Sequence, residues 1–291
     1  MRLRRTRLYM PGNGPRLFIK GPPPEADSVI LDLEDSVPPA EKDAARILVR
    51  YALENVNWGD KEVLVRVNPM STPYGPVDVR AVGHLAHGII IPKSETAKDV
   101  LQVALLLDEI EAERGLPAGH IKLIPLIETA KGVLSALEVA RASPRNTSLA
   151  FGAEDYTADV GGERTNEGSE LLFARSMIVA AAKAAGIQAS DTVFGDFKDM
   201  DGLYREARQA AAMGFDGKGA IHPNQLPVII RAFTPDTARI EKAKRIMEAI
   251  KKAEADGTGV VAVGGKMVDP PVRARAEKVL AQAKAAGILK E

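Results

Sequence analysis

The 291-residue chain contains no cysteine. Disulfide scaffolds, thiolate metal sites and thiol nucleophiles are therefore excluded. Net charge is also missing, because 39 Lys and Arg balance 39 Asp and Glu. Without a block of like charge there is no sign of a nucleic-acid groove. The one basic cluster, Arg2 to Arg7, reads as a solvated strand end. No stretch approaches the roughly 18 apolar residues that a membrane-crossing helix needs. The start of the chain lacks an apolar h-region and a small-residue cleavage site, so no secretory signal is expected and the cytoplasm is the expected location. No Gly-x-Gly-x-x-Gly follows an apolar run, which leaves a dinucleotide fold unsupported, and no Gly-x-Ser-x-Gly elbow offers a serine nucleophile.

What remains is an ordinary globular composition, 45% hydrophobic and 27% charged. Short β-branched runs alternate with longer stretches rich in Ala, Leu, Glu and Lys. The runs predict strands at Arg7–Met10, Ser28–Asp32, Glu62–Val67, Gly88–Ile91, Lys122–Ile127, Ser148–Phe151, Thr192–Phe194 and Gly217–Ile221. Most are continuously apolar, as parallel strands buried on both faces are. The helical patterns lie at Ala40–Leu53, Val77–Ala86, Ala97–Arg114, Gly132–Arg141, Gly168–Ala185 and Asp201–Met213, with Gly115, Gly186 and Gly214 placed to stop helices. Eight strands separated by helices predict an α/β fold, a (β/α)₈ TIM barrel over residues 1–233; an open doubly wound sheet is the competitor. Residues 234–291 exceed what a barrel needs. Pro235–Ala255 reads as a charged amphipathic helix, Gly257–Gly265 as a glycine-rich turn, and a last helix runs to Ala286. This C-terminal helical extension is expected to be a lid or an oligomer arm.

Barrels keep their chemistry at the C-terminal ends of the strands. The ionisable residues that end the apolar runs are Asp32, Glu34 and Asp35, then Arg66, Lys93, Glu128, Glu154 with Asp155, and His222. Carboxylates dominate, and carboxylate oxygens with water suit a hard divalent cation. Glu128 and Asp155 are 27 residues apart, about one βα unit, which puts them on adjacent strand ends facing one mouth. The competing reading is that these acids cap the helices that follow. Arg66 offers a forked donor for carboxylate or enolate oxygens, or a salt bridge with Glu34 or Glu128. Lys93 sits among acids that raise its pKa, which disfavours a Schiff base.

Leu8-Tyr9-Met10-Pro11-Gly12, Leu31-Asp32-Leu33-Glu34-Asp35-Ser36-Val37, Val65-Arg66-Val67-Asn68, Pro92-Lys93, Ile127-Glu128-Thr129 and Gly152-Ala153-Glu154-Asp155-Tyr156 occur in that order. Phe215 to Pro223 and Gly265-Lys266-Met267-Val268-Asp269 complete the series. The ordered set resembles the citrate lyase β-subunit family and its malyl-CoA and citramalyl-CoA lyase relatives over nearly the whole chain. One departure is the proline-rich Lys20 to Glu25, where relatives often carry a longer helix. The resemblance implies a (β/α)₈ barrel with Mg²⁺ held by Glu128 and Asp155, and Asp32 and Glu34 around the metal-bound water. It implies Arg66 as the substrate and transition-state contact. Tyr9, Pro11 and the loop at His222 would line the entry of the thioester arm. Asp269 would reach a neighbouring subunit's site in a homotrimer or homohexamer, and serve as acid and base when the extension closes; capping of the last helix is its other reading. The implied reaction is retro-Claisen cleavage of a citryl-, malyl- or citramalyl-type thioester, on CoA or an acyl carrier protein, to an acyl thioester and a 2-oxo acid. The alternatives are a thioesterase or synthase on such thioesters, or a subunit active only within a citrate lyase complex.

Overall fold

The structure of the chain, a computed structural model, describes residues 2–255, 262–263 and 266–289. It divides into two compact units, Arg4–Ile229 and a smaller one made of the residues before Arg4 and those from Ile230 on. In the larger unit, strands β1 (Thr6–Pro11), β2 (Ser28–Asp32), β3 (Glu62–Arg66), β4 (Gly88–Ile91), β5 (Lys122–Ile127), β6 (Ser148–Phe151), β7 (Gln188–Asp191) and β8 (Gly217–Ala220) each pair in parallel with the next. β8 pairs with β1, through Arg7 opposite Gly219 among others, and closes an eight-stranded barrel. The apolar runs are continuous because both faces are covered. Inside, Ile30, Leu64, Ile90, Ile124, Leu126 and Ala150 form one apolar cluster with Tyr9 against it, and outside lie the helices.

Those helices are α1 (Pro15–Ile19), α2 (Lys42–Asn55), α3 (Gly75–Val82), α4 (Ala97–Arg114), α5 (Ala130–Leu134), α6 (Ala136–Arg141), α7 (Ala153–Asp159), α8 (Leu172–Ala184) and α9 (Met200–Met213); α10 (Leu226–Phe233) begins in the larger unit and ends in the smaller. Local signals set their ends. Thr96 and Asp99 form a capping box at the start of α4, and Asp199 caps α9 by accepting from the Gly202 N–H. Gly115, Gly186 and Gly214 all take positive φ at helix ends, as their placement in the sequence predicts.

The seventh strand differs from the expectation. It runs over Gln188–Asp191, and Thr192–Phe194 follows it. An apolar run is a poor guide here because this strand is polar and stabilised by charge pairing. The fully buried Asp191 accepts from Arg175 Nε and Nη2 at 3.0 Å and from Lys218 Nζ at 2.8 Å, between strands and helices. The helix expected at Gly132–Arg141 is two short ones, divided at Ser135. The short helices α1, α7 and α10 were not foreseen.

The smaller unit contains α11 (Thr237–Ala255) and α12 (Pro270–Ala285), which bury Ala243, Ile246, Ile250 and Ala276 between them. A two-residue antiparallel pair, β9 (Ala262–Val263) and β10 (Lys266–Met267), precedes α12. The rest of the glycine-rich Gly257–Gly265 lies outside the described residues, as does Gly265 of the last motif. Among the described residues, no helix is long and apolar enough to cross a membrane.

Candidate active site

At the C-terminal end of the barrel lies a cavity of about 410 Å³. Tyr9, Pro11, Asp32, Arg66, Glu128 and Asp155, from five strand ends, are in its wall. The loop after β2 is built around Asp32, whose carboxylate accepts from the backbone N–H of Glu34 at 3.0 Å and of Ser36 at 3.2 Å. From α2 the buried Lys42 donates to the carbonyls of Leu33 and Glu34 at 2.8 and 2.7 Å. Asn68, two residues beyond β3, fastens the same loop by donating to the Leu33 carbonyl.

This frame holds Arg66. Its Nε and Nη2 form a fork on Asp32 at 2.7 and 2.8 Å, and its guanidinium lies over the Tyr9 ring, 5.2 Å from the centroid. Nη1 donates to Asp35 at 3.2 Å and stands 3.0 Å from Glu34 Oε2. The last contact is an ion pair without hydrogen-bond alignment, because Glu34 Oε2 is buried and accepts no hydrogen bond. Burial works against the charge on Arg66, but the bonds to Asp32 outweigh it and hold the guanidinium firmly protonated. Asp32 is correspondingly held below its ordinary value: burial pushes it up and Arg66 pulls it further down. Glu34 goes the other way, to about 7, chiefly because it is buried, with Asp35 and Asp32 adding to the rise against the pull of Arg66.

Glu128 is 2% exposed at the end of β5. The capping alternative does not describe it, since Thr129 caps α5 by accepting from the Gly132 N–H. Glu128 Oε1 instead accepts from the Lys93 N–H at 2.7 Å. That N–H is delivered by the only non-glycine residue with positive φ among those described, Lys93 at 48°. Such a backbone stores strain. On the other side stands Gly152, where a Cβ would come within 2.6 Å of Glu128 Oε2, so only glycine fits. Burial raises Glu128 to about 8, with the charges of Glu34 and Asp155 adding to it. Asp155 lies in the first turn of α7, is half exposed, and has Lys93 Nζ 3.8 Å away. Lys93 itself is held above its ordinary value: burial lowers it, and Asp155 followed by Glu34 and Glu128 more than compensate.

The residues fit a hard dication. Two carboxylates in one wall repel each other, the more buried of them receives a single backbone N–H, and a glycine leaves space beside it. A cation of charge two would remove the repulsion. Among the described residues no group of three or more His, Cys, Asp or Glu is gathered to hold a metal. A two-carboxylate site completed by water and substrate oxygens is the usual arrangement for Mg²⁺.

Not every expected residue faces this cavity. Its wall on the β8 side includes Ile221 but not His222. His222 Nδ1 accepts from the Asn224 N–H at 3.1 Å, and its ring stacks on Phe197. Glu34 stands 3.0 Å from the cavity's Arg66 and is not itself in the wall. Asp269 belongs to the smaller unit, where it is exposed and caps α12 by accepting from the Val272 N–H at 3.0 Å. Sequence reasoning missed the Lys93 N–H and Gly152. The glycine of Gly152-Ala153-Glu154-Asp155 was a usable signal; the turn at Lys93 had none. It also misread Arg2 to Arg7 as solvated: Arg4 pairs with Glu62, Arg5 with Asp27, and Arg7 is 2% exposed.

Residues 5–223 match the family described as HpcH/HpaI aldolase/citrate lyase. The chain is 42% identical over 285 residues to the citrate lyase subunit beta of Leuconostoc mesenteroides subsp. cremoris, covering 98% of this chain and 94% of that protein. It is 37% identical over 310 residues to the L-malyl-CoA/beta-methylmalyl-CoA lyase of Rhodobacter capsulatus, covering 99% and 96%. In structure it is similar to CitE from Mycobacterium tuberculosis in complex with magnesium, acetoacetate and coenzyme A, with TM-score 0.79 and 35% identity over 96% of this chain and 98% of that one.

Proposed function

The chain belongs to the HpcH/HpaI aldolase/citrate lyase family, and from that footing we propose that its cavity cleaves a 3-hydroxyacyl-CoA thioester of the citryl or malyl type by retro-Claisen chemistry. The activity is that of a Mg²⁺-dependent carbon–carbon lyase, in keeping with lyase relatives and a magnesium- and CoA-bound structural neighbour. The observation that carries the reading is that Glu128, with a single backbone donor, shares one wall with Asp155 and an immobilised Arg66.

Glu128 and Asp155 would hold the metal, which when bound supplies Lewis-acid chemistry and a template for the substrate's hydroxyl and carboxylate oxygens. Cleavage moves the hydroxyl proton to a base, breaks the carbon–carbon bond and leaves the electron pair as a thioester enolate. The enolate carbon then takes a proton to give the acyl thioester. Arg66 would meet the developing oxyanion through Nη1, the nitrogen that Asp32 does not use. A single well-placed donor is worth roughly 3–4 kcal/mol. Asp32 keeps that fork from turning, which is the value of a donor fixed before the reaction. Glu34, pushed up to about 7, can hold or release a proton beside Arg66. Tyr9 and Pro11 line the wall where the thioester arm would enter, with His222 behind Ile221. Asp269 is proposed as the acid and base for the enolate carbon, supplied by a neighbouring copy in a homotrimer or homohexamer. Under this proposal residues 1–233 are the catalytic part and 234–291 the arm or lid.

Similarity to a citrate lyase β subunit also supports a role within a larger citrate lyase assembly, with an acyl carrier protein in place of CoA. The test is release of 2-oxo acid from citryl-CoA, malyl-CoA and citramalyl-CoA, with Mg²⁺ and after its removal by chelation. The same test with carrier-protein thioesters distinguishes the assembly. Cleavage of none of these sinks the proposal, and release of free thiol in step with the oxo acid redirects it to a thioesterase.

A further inference from the structure

The cavity does not end at the carboxylate rim. Its wall continues down β1 to Arg7, the inward-facing position below Tyr9. Two residues of strand separate them by about 6–7 Å. Arg7 is 2% exposed, and its Nε and Nη1 are buried without a hydrogen-bond partner. The acids around it are already engaged. Glu62, the charge that most favours Arg7, has both oxygens on Arg4 and one of them also on Ser28. Asp216 receives Lys183 and the Ala189 N–H. Burial brings Arg7 down to about 10, which leaves it charged at neutral pH. The neighbour in register, Gly219, has no side chain, and Ser190 and Ala150 are small, so the cavity keeps space on this side.

A buried guanidinium with unfilled donors is costly unless something fills them. Its fork suits a carboxylate. We propose that Arg7 is a carboxylate-binding site on the barrel floor, which holds the second carboxylate of a dicarboxylic 2-oxo acid fragment. The consequence is a preference for citryl-type thioesters over malyl- and citramalyl-type ones, whose oxo acids carry a single carboxylate. The assignment of the fragment rests on the lyase reading; the binding of a dicarboxylate does not. A polar site left unpaired by an analogue discriminates strongly against it.

The test is calorimetric binding of oxaloacetate and pyruvate to the Mg²⁺-loaded protein, without turnover. The wild type is expected to bind oxaloacetate about a hundredfold more tightly or better. Arg7→Met should abolish that difference while leaving pyruvate binding within about threefold, and Arg7→Lys should keep part of it. Because it removes an unpaired buried charge, Arg7→Met should melt no lower than the wild type. Equal loss of both acids in Arg7→Met, or no loss of either, overturns the proposal, and so does a collapsed melting temperature in both variants, which would mark Arg7 as a structural cation. If the wild type prefers the dicarboxylate through Arg7 but cleaves no thioester, the lyase reading fails and the carboxylate site stands.

Discussion

Two groups of buried acids in this barrel are treated in opposite ways. Away from the mouth, on α4, Glu111 accepts from the N–H groups of Gly119 and Ile121 at 2.8 Å each, and from Arg145 Nη1 and Nη2 at 2.7 and 2.5 Å. Burial pushes it up, but these bonds bring it down to about 2. At the mouth, Glu128 has one N–H and two like charges, and is pushed to about 8. The same residue type, shielded from solvent in both places, has a full set of partners in one and a single backbone donor in the other. The count of donors separates them: an acid whose bonds are complete serves the fold, and one left short is available to a substrate or ion.

The largest effect expected from breaking this contrast is on turnover. Glu128→Ala or Asp155→Ala should lower Mg²⁺-dependent cleavage by about 10³-fold or more, the several kcal/mol that a Lewis acid contributes, with the circular dichroism spectrum unchanged. Full activity in both variants would remove the metal site.

Next comes Arg145→Ala, expected to destabilise by about 3 kcal/mol, because it leaves Glu111 buried with its charge uncompensated. Urea denaturation measures it, and a loss below about 1 kcal/mol would put the anchor in the class of surface pairs.

The pH dependence should have opposite signs at the two places. Glu111 has a folded pKa near 2, below its ordinary 4.5. Its stabilisation is therefore complete above the unfolded value and lost as the pH falls from about 4.5 towards 2. Glu128 has a folded pKa near 8, above 4.5. Metal-free protein should therefore lose stability as the pH rises from about 4.5 through 8, and Mg²⁺ should flatten that slope. Melting temperatures at pH 5 and pH 8.5, with and without Mg²⁺, decide it; Glu128→Gln should be insensitive to Mg²⁺ and melt a few degrees above the metal-free wild type at the higher pH. A wild-type melting curve indifferent to Mg²⁺ at both pH values would break the comparison.

The smallest effect is expected at Asp35→Asn. Asp35 is largely exposed and is one of three acids around Arg66. Its removal should change stability by less than about 1 kcal/mol, leaving Asp32 to hold the fork. A loss of oxo-acid release as large as that of an Asp32→Asn variant would show that the fork alone does not position Arg66.

Much of this was legible in one dimension. Strands and helices alternate with distinct periods, so six of the eight strands have the expected bounds or differ by one residue at a single end. Because parallel strands present their C-terminal ends together, charged residues at the ends of apolar runs had to meet at one mouth, and Asp32, Arg66, Glu128 and Asp155 do. β7 was not legible, since its stability comes from Asp191 finding Arg175 and Lys218, 16 and 27 residues away. The backbone turn at Lys93 was not legible either, because no residue type announces it.

The sequence by itself determined the alternation of strands and helices, the charged residues at the strand ends and the family, since these depend on pattern and order along the chain; closure into a barrel is settled by the pairing of β8 with β1. Only the tertiary structure decided which charges are satisfied. Asp32 ends its strand and Glu128 comes directly after its own, yet one is locked to Arg66 and the other waits on a single N–H; Arg4 and Arg7 belong to one basic run, yet one pairs with Glu62 and the other has two buried nitrogens without a partner. Hydrogen bonds act over about 3 Å, and the groups that share that distance here come from positions tens of residues apart, so their pairing exists only once the barrel has closed.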